Sequence, residues 1–176
     1  MAVTLFDIMS AVSDCVCAEL AKPRNGGTEP GWTGDCCVFP GTSVSFDSCC
    51  ENGGQSWVTV KGGHPSTNFP DPEPTRETIC AEIHTMAVRL EVGVIRCVCF
   101  DMCDCEVKED NALNVIQDYE AVIRGLRCCF DEDATGICGD RTWRLNSFEF
   151  IGPEGGCAGS KVEIIVAVAA PCCEGV

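Results

Sequence analysis

The spacing of apolar side chains along the chain predicts two amphipathic helices. In Thr4–Leu20, apolar residues recur at intervals of three and four, which places them in one stripe on an α-helix. Thr4 followed by Asp7 has the form of a capping box at the start of this helix. A second stripe runs through Asp110–Phe130, with acidic residues at its start and arginines near its end, as the helix dipole favours.

Several shorter segments have the alternating pattern of β-strands. The clearest is Thr85–Cys97, where every second residue from Met86 to Val94 is apolar. Other strands are predicted at Cys36–Phe39, Val44–Phe46, Gln55–Lys61, Thr142–Ile151 and Lys161–Ala169. The first two are expected to form a short hairpin. The last two are expected to form an antiparallel hairpin with a long glycine-rich tip over Gly152–Gly159.

The segment Gly62–Thr78 breaks this pattern. It contains four prolines and has no apolar periodicity, so it is not expected to be a core element. Loops of this length inside compact domains are uncommon and often functional. We therefore predict an extended proline-rich arm that packs on another molecule, with His64, Phe69 and Pro70 as interface candidates.

The order of elements favours an α+β fold. Two helices and a set of mostly antiparallel strands do not form the alternating βαβ pattern of a doubly wound protein. The length of 176 residues fits one domain, covering residues 1–176. We predict a single mixed, mostly antiparallel sheet with both helices packed on one face.

Charge and hydropathy narrow the possible partners. The formal net charge is −15, from 27 acidic and 12 basic residues. Proteins that bind nucleic acid tightly need an excess of Lys and Arg, so specific DNA or RNA binding is not expected. No run approaches the roughly 20 apolar residues that a membrane helix requires, so no membrane partner is expected. The first residues lack a positively charged region, and Asp7 interrupts the apolar stretch, so no export signal is predicted.

The 17 cysteines are unusual in a chain without a predicted export signal. Four adjacent pairs occur, at 36–37, 49–50, 128–129 and 172–173. Because hairpins bring strands together, we expect a local disulfide from Cys36 or Cys37 to Cys49 or Cys50. Cys128 or Cys129 is a further candidate, with a strand cysteine as its partner. An odd number of cysteines leaves at least one thiol free or shared between chains.

Metal-binding and catalytic patterns are weak. Four cysteines fall within nine residues, at Cys97, Cys99, Cys103 and Cys105, and four thiolates suit zinc. Their spacing is not that of known zinc motifs, so no metal and no cofactor are predicted. These four cysteines are the candidate ligands if a metal does bind. The two histidines, His64 and His84, have no accompanying motif for hydrolase or phosphate chemistry. The chain is therefore not expected to be an enzyme.

Several segments together resemble a family of phage proteins. These are LFDIMSAVSDCVCAEL, CCVFPGTSVSFDSCCENGGQSWVTV, MAVRLEVGVIRC, the helix that follows, and FIGPEGGCAGSKVEIIVAV. They are similar to the cysteine-rich head-to-tail connector and tail-terminator proteins of actinobacterial long-tailed phages. The order of the predicted elements, with strands between the two helices and two strands after the second helix, also resembles the tail-terminator fold. The cysteines at 97–105 depart from what a generic terminator needs.

The resemblance implies a structural protein of the virion neck, assembled in the host cytoplasm. A terminator forms a homo-hexameric ring that caps the tail tube and receives the head-completion, or stopper, ring. Its partners would be further copies of itself, the tail tube protein and the stopper protein. Genomic DNA would pass through the lumen without specific binding. Two alternatives stay open: a stopper or adaptor of the same neck, and a cysteine-rich metal-binding or redox protein.

Overall fold

The computed structural model describes residues 3–24, 27, 31–39, 41–44, 49–50, 53–72, 85–98, 105–132, 134–139 and 141–169. Within these residues the chain forms two helices and five strands. In order they are α1 (Leu5–Leu20), β1 (Asp35–Phe39), β2 (Gln55–Pro65), β3 (Thr85–Cys97), α2 (Cys105–Phe130), β4 (Trp143–Glu154) and β5 (Cys157–Ala169). No helix in the described ranges is both long and apolar enough to cross a bilayer.

The five strands form one mixed sheet in the order β1-β2-β3-β5-β4. Every neighbouring pair is antiparallel except β1 and β2, which are parallel. The α+β prediction is therefore confirmed. β1 pairs in parallel with β2, a segment that begins 16 residues later, and the sequence does not predict this pairing. Of the strand predicted at Val44–Phe46, only Val44 lies among the described residues, and it is not in a strand.

Both helices pack on one face of the sheet, as predicted. The alternating apolar residues of β3 and β5 face this layer, because cross-strand partners such as Leu90 and Ile164 share a face. Val12 of α1 and Val122 of α2 are fully buried against them. Burial of this single layer between helices and sheet is the main hydrophobic contribution to the fold.

The helix boundaries follow local chemistry. Thr4 caps α1: its hydroxyl accepts a hydrogen bond from the Asp7 amide, and the Asp7 carboxylate accepts one from the Thr4 amide at 2.7 Å. α2 begins at Cys105, five residues before the predicted Asp110. The added turn contains Glu106, Lys108 and Glu109, which are good helix formers even where no side chain is buried.

The predicted arm is partly a strand. Gly62–Pro65 continues β2 after a bulge and pairs with β3, so the prediction that residues 62–65 are loop is wrong. The long strand β3 offers backbone partners here, and Pro65 is tolerated because it ends the strand. Residues 66–72 then turn back, with the Ser66 hydroxyl donating to the Asp71 carbonyl at 2.7 Å. The remainder, 73–78, lies outside the described residues.

The hairpin between β4 and β5 is tighter than the sequence predicts. Gly155 and Gly156 have φ of 57° and 87° and form the whole turn between Glu154 and Cys157. Positive φ at both central residues is the geometry that glycine permits and that matches strand twist. The long glycine-rich tip is therefore wrong, and its flanking residues belong to the two strands.

Candidate interaction edge and cysteine cluster

A β-bulge determines which side chains β4 presents beside the helices. The register shifts between Leu145 and Ser147, where Asn146 is inserted. Leu145 lies opposite Ile164, and Phe148 lies opposite Val162, so both point to the helix side of the sheet. Without the bulge, strand alternation would put Leu145 and Phe148 on opposite faces.

The residues brought together in this way are apolar and largely exposed. Leu145 is 42% exposed, Phe148 54% and Phe150 47%. Tyr119 of α2 lies against the two phenylalanines, with ring centroids 5.1 Å from Phe148 and 5.6 Å from Phe150. Aromatic rings at such distances attract each other, so these contacts stabilise the group although it faces solvent. We call Tyr119, Leu145, Phe148 and Phe150 the β4 patch.

The apolar surface continues along α2. Leu113 and Ile116 are 49% and 45% exposed. Ile116 lies one turn before Tyr119, and Leu113 one turn before Ile116, so the three occupy one side of the helix. Scattered exposed apolar residues are ordinary, but a group of neighbouring ones is a candidate interaction surface.

The β4 patch lies at a free edge of the sheet. β4 is the outermost strand, with β5 as its only strand neighbour in the described part of the chain. Its 12 residues are nearly all exposed. The outward main-chain amides and carbonyls of such a strand can pair with another chain. β4 therefore joins two properties of an interface, an open hydrogen-bonding edge and an apolar surface.

The opposite face of the sheet is charged around the same strands. Lys161 lies 3.0 Å from Glu149, the Asn146 amide donates to Glu163 at 2.6 Å, and Arg89 lies 3.9 Å from Glu163. Solvated ion pairs of this type contribute little to stability. They make the two faces of the β4 edge chemically different.

The predicted interface residues lie elsewhere. His64 is in β2 and is half-buried, with Nε2 2.9 Å from the carbonyl oxygen of Pro70. Phe69 and Pro70 are also half-buried, in the turn after β2. This turn is separated from β4 by strands β3 and β5. The structure brings His64 and Pro70 together but places neither in the β4 patch, and the other histidine, His84, lies outside the described residues.

A buried carboxylate fixes α2 against the rest of the fold. Asp118 is 1% exposed and binds two guanidinium groups, those of Arg24 and Arg96. Arg96 donates from Nε at 2.6 Å and from Nη2 at 3.1 Å. The paired charges offset the cost of removing the carboxylate from water. The site joins α2 to the segment after α1 and to the end of β3.

The cysteines pair differently from the prediction. Three disulfides are present among the described residues: Cys17–Cys36, Cys49–Cys157 and Cys50–Cys97. The expected bridge between the 36–37 and 49–50 pairs is wrong, because Cys36 faces α1 and the 49–50 turn faces β3 and β5. The other disulfide candidates, Cys37, Cys128 and Cys129, are not in disulfides. Of the metal candidates, Cys97 is bridged to Cys50, Cys105 is an exposed thiol at the start of α2, and Cys99 and Cys103 lie outside the described residues.

Two of the disulfides form one sulfur cluster. Cys97 and Cys157 are direct cross-strand partners at the ends of β3 and β5. The Cys49–Cys50 turn lies over them, and the Sγ atoms of Cys49 and Cys50 are 3.7 Å apart. The sulfurs of Cys49, Cys50 and Cys157 all lie within 4.8 Å of one another. The sulfur of Cys97 is bonded to that of Cys50 but lies outside this group of three. We call Cys49, Cys50, Cys97 and Cys157 the four-sulfur cluster.

A second group of thiols is buried between the helices. Cys129 of α2 interacts with Cys138 and with Cys15 of α1. Hydrogen bonds to these two thiols and burial raise the pKa of Cys129. A thiol with a raised pKa is a poor nucleophile, because the reactive form is the thiolate. The pKa of Cys15 is lowered instead, chiefly by its hydrogen bond with Cys129. All three thiols are buried, so this group belongs to the core.

Comparison with known proteins adds no relative: no protein-family description matches the chain, and no curated protein is significantly similar to it. The function of the site is therefore inferred from the residues of this chain alone. One local signal for the β4 patch is present in the sequence, where Leu145 and Phe148 are an odd number of residues apart in an otherwise alternating strand. Such an interruption is typical of a bulge.

Proposed function

We propose that this chain is a structural protein of a long-tailed phage neck, and that it acts as the tail-terminator ring. Its elements follow the order α-β-β-β-α-β-β, which resembles that of the tail-terminator fold. Fold alone does not define function, since one fold hosts many roles. The proposal therefore depends on an observation at the molecular surface.

That observation is the β4 edge with its patch. A ring requires a heterologous contact, in which one surface of a subunit binds a different surface of the next. The two edges of this sheet differ strongly: β4 has 12 residues and β1 has five. In the proposed ring, the open edge of β4 and the β4 patch contact the neighbouring subunit. The apolar side chains and the unpaired main chain then become buried together.

The charge of the chain supports a passage for DNA. A ring of six copies would carry six times the formal charge of −15. Where these acidic groups line the lumen, they repel phosphates, so DNA moves through without binding. This step of the proposal fails if the assembled lumen is neutral or basic.

The decisive experiment is a mass measurement of the chain with its partners. We would purify the protein with the tail tube protein from the same genome and record native mass spectra of each alone and of the mixture. Six copies on a tube end are expected. Persistence of the monomer in the presence of the tube protein would contradict the terminator assignment.

A stopper or adaptor role in the same neck is the second candidate. The β4 edge supports assembly of this chain into a ring, but it does not identify which other ring of the neck that ring contacts. Repeating the measurement with the portal or stopper protein in place of the tube protein separates the two roles. A complex formed with these proteins and not with the tube would assign the chain to the head side of the neck.

A further inference from the structure

We propose that the four-sulfur cluster is a zinc site in the reduced protein, and that oxidation converts it to the two disulfides. The proposal goes beyond a structural role in a ring and does not depend on it. It assigns a ligand, a divalent zinc ion, to Cys49, Cys50, Cys97 and Cys157. These residues differ from the candidates at Cys97–Cys105 in all but one position.

The sulfurs of Cys49, Cys50 and Cys157 converge, and the fourth ligand, Cys97, is bonded to one of them. A tetrahedral zinc site holds four thiolates about 2.3 Å from the metal, which places the sulfurs about 3.8 Å apart. The Sγ atoms of Cys49 and Cys50 are 3.7 Å apart although they belong to different disulfides. The Cα atoms of the bonded pairs are 6.1 Å and 4.6 Å apart, so side-chain rotation alone can separate each pair of sulfurs.

The backbone of β3 and β5 supports the cluster. Cys97 and Cys157 are fixed opposite each other by the ladder between β3 and β5. The amide of Val98 donates to the carbonyl of Gly156 at 2.8 Å, which continues this ladder beyond Cys97. Two of the four ligands therefore stand on rigid strands and are held in place in either redox state. Such preorganisation favours a metal site.

The surroundings of the cluster are apolar on one side and open on the other. Cys49 and Cys157 are buried in a small apolar cluster with Trp57 and Ile95, whereas Cys50 is exposed. An apolar shell on one side keeps water from the bound metal, since it controls solvent access to a site. The open side provides an entry path for zinc and for an oxidant.

The proposed conversion has two steps, zinc binding and then oxidation. Four Cys thiols and Zn²⁺ give a tetrathiolate complex of charge 2− and release four protons. Two molecules of hydrogen peroxide then accept four electrons from the thiolates. With four protons taken up, the products are two disulfides, four water molecules and free Zn²⁺. Each disulfide forms by attack of one sulfur on its oxidised neighbour.

The test uses full-length protein reduced with a phosphine under anaerobic conditions. Titration with Co²⁺ should give the visible d–d bands of tetrahedral thiolate coordination at one metal per chain, and Zn²⁺ should displace the cobalt. The double variant Cys50→Ser/Cys97→Ser should weaken binding at least tenfold, as loss of metal ligands does. Both positions are exposed, so the variant is expected to fold, and circular dichroism of the apo variant checks this.

Matched controls separate this site from other thiols. Cys37→Ser and Cys105→Ser remove exposed or half-buried thiols outside the cluster and should leave the cobalt spectrum unchanged. Peroxide should release the metal and yield Cys49–Cys157 and Cys50–Cys97 in peptide maps. No cobalt spectrum in the reduced wild type, or a spectrum lost in Cys105→Ser and kept in Cys50→Ser/Cys97→Ser, would overturn the proposal.

Discussion

The indole ring of Trp57 lies directly over Gly93, its cross-strand partner. A Cβ atom at position 93 would lie 2.1 Å from Cζ2 of the ring. Trp57 is almost fully buried, and its Nε1 donates to Glu91 at 3.2 Å. The glycine is therefore required so that the tryptophan can lie flat on the sheet.

Substitution Gly93→Ala is expected to lower the free energy of unfolding by about 1–3 kcal/mol, because the added methyl displaces a packed ring. Chemical denaturation followed by tryptophan fluorescence measures the loss. Gly152→Ala in β4 is the matched control, since nothing lies within 4 Å of its added Cβ. Equal stability of the two variants would show that Trp57 is not held as described.

Phe148→Arg is expected to prevent assembly and to leave the fold intact. The side chain is half exposed in the monomer, but the proposed ring buries it, and a buried unpaired charge is costly. Native mass spectrometry with the tail tube protein measures assembly. Phe6→Arg is the control, because Phe6 on α1 is 65% exposed and lies outside the β4 patch. Normal assembly of Phe148→Arg would remove the β4 patch from the interface.

Asp118→Asn is expected to destabilise the fold by about 3 kcal/mol, because removal of one partner leaves two guanidinium groups without their buried counter-charge. Thermal unfolding under one buffer condition measures the change. Asp110→Asn, at an exposed position of the same helix, should have a small effect. A loss no greater than that of Asp110→Asn would mean that the buried ion pairs contribute little to stability.

The capping box of α1 should give a pH-dependent contribution to stability. Hydrogen bonds from the Thr4 side chain and backbone lower the pKa of Asp7 below its ordinary value of 3.8. A carboxyl with a lowered folded pKa stabilises the fold above the unfolded pKa, and this stability is lost as the pH falls through the folded pKa. The difference in unfolding midpoint between wild type and Asp7→Asn should therefore be largest near neutral pH and shrink below pH 3.8.

Thr4→Ala provides the matched comparison for this prediction, because it removes the hydroxyl and keeps the carboxylate. Part of the pH dependence should disappear in this variant, and the double variant Thr4→Ala/Asp7→Asn should show none from this site. A midpoint difference that stays constant across the acid range would contradict the assigned role of Asp7.

Local sequence patterns predict an element correctly where the residues of that element alone determine its structure. The bounds of β3 follow from alternation alone, and the start of α1 follows from Thr4 and Asp7, because both signals lie within a few residues. The parallel pairing of β1 with β2 depends on contacts between segments about 20 residues apart, for which the local sequence contains no signal. The continuation of β2 through Pro65 likewise depends on β3, so a proline-rich composition was misleading there.

The candidate site was less predictable for the same reason. Exposure of Phe148 is set by the position of β4 at the outside of the sheet, which is a property of the whole topology. The cysteine partners are separated by up to 108 residues, and sequence gives no connectivity over such distances. The adjacent cysteines at 49 and 50 are predicted disulfide candidates, but their partners at 97 and 157 become neighbours only through the β3–β5 ladder.

The arrangement of the disulfides determines whether proteolytic cleavage releases fragments. The loop closed by Cys50 and Cys97 is nested inside the loop closed by Cys49 and Cys157. A protease that cuts one peptide bond between residues 51 and 96 therefore produces two fragments joined by both bridges. Such a nicked molecule keeps the mass of the intact chain plus one water and migrates as one species until a reductant separates it. On gels, cleavage between residues 51 and 96 is therefore visible only under reducing conditions.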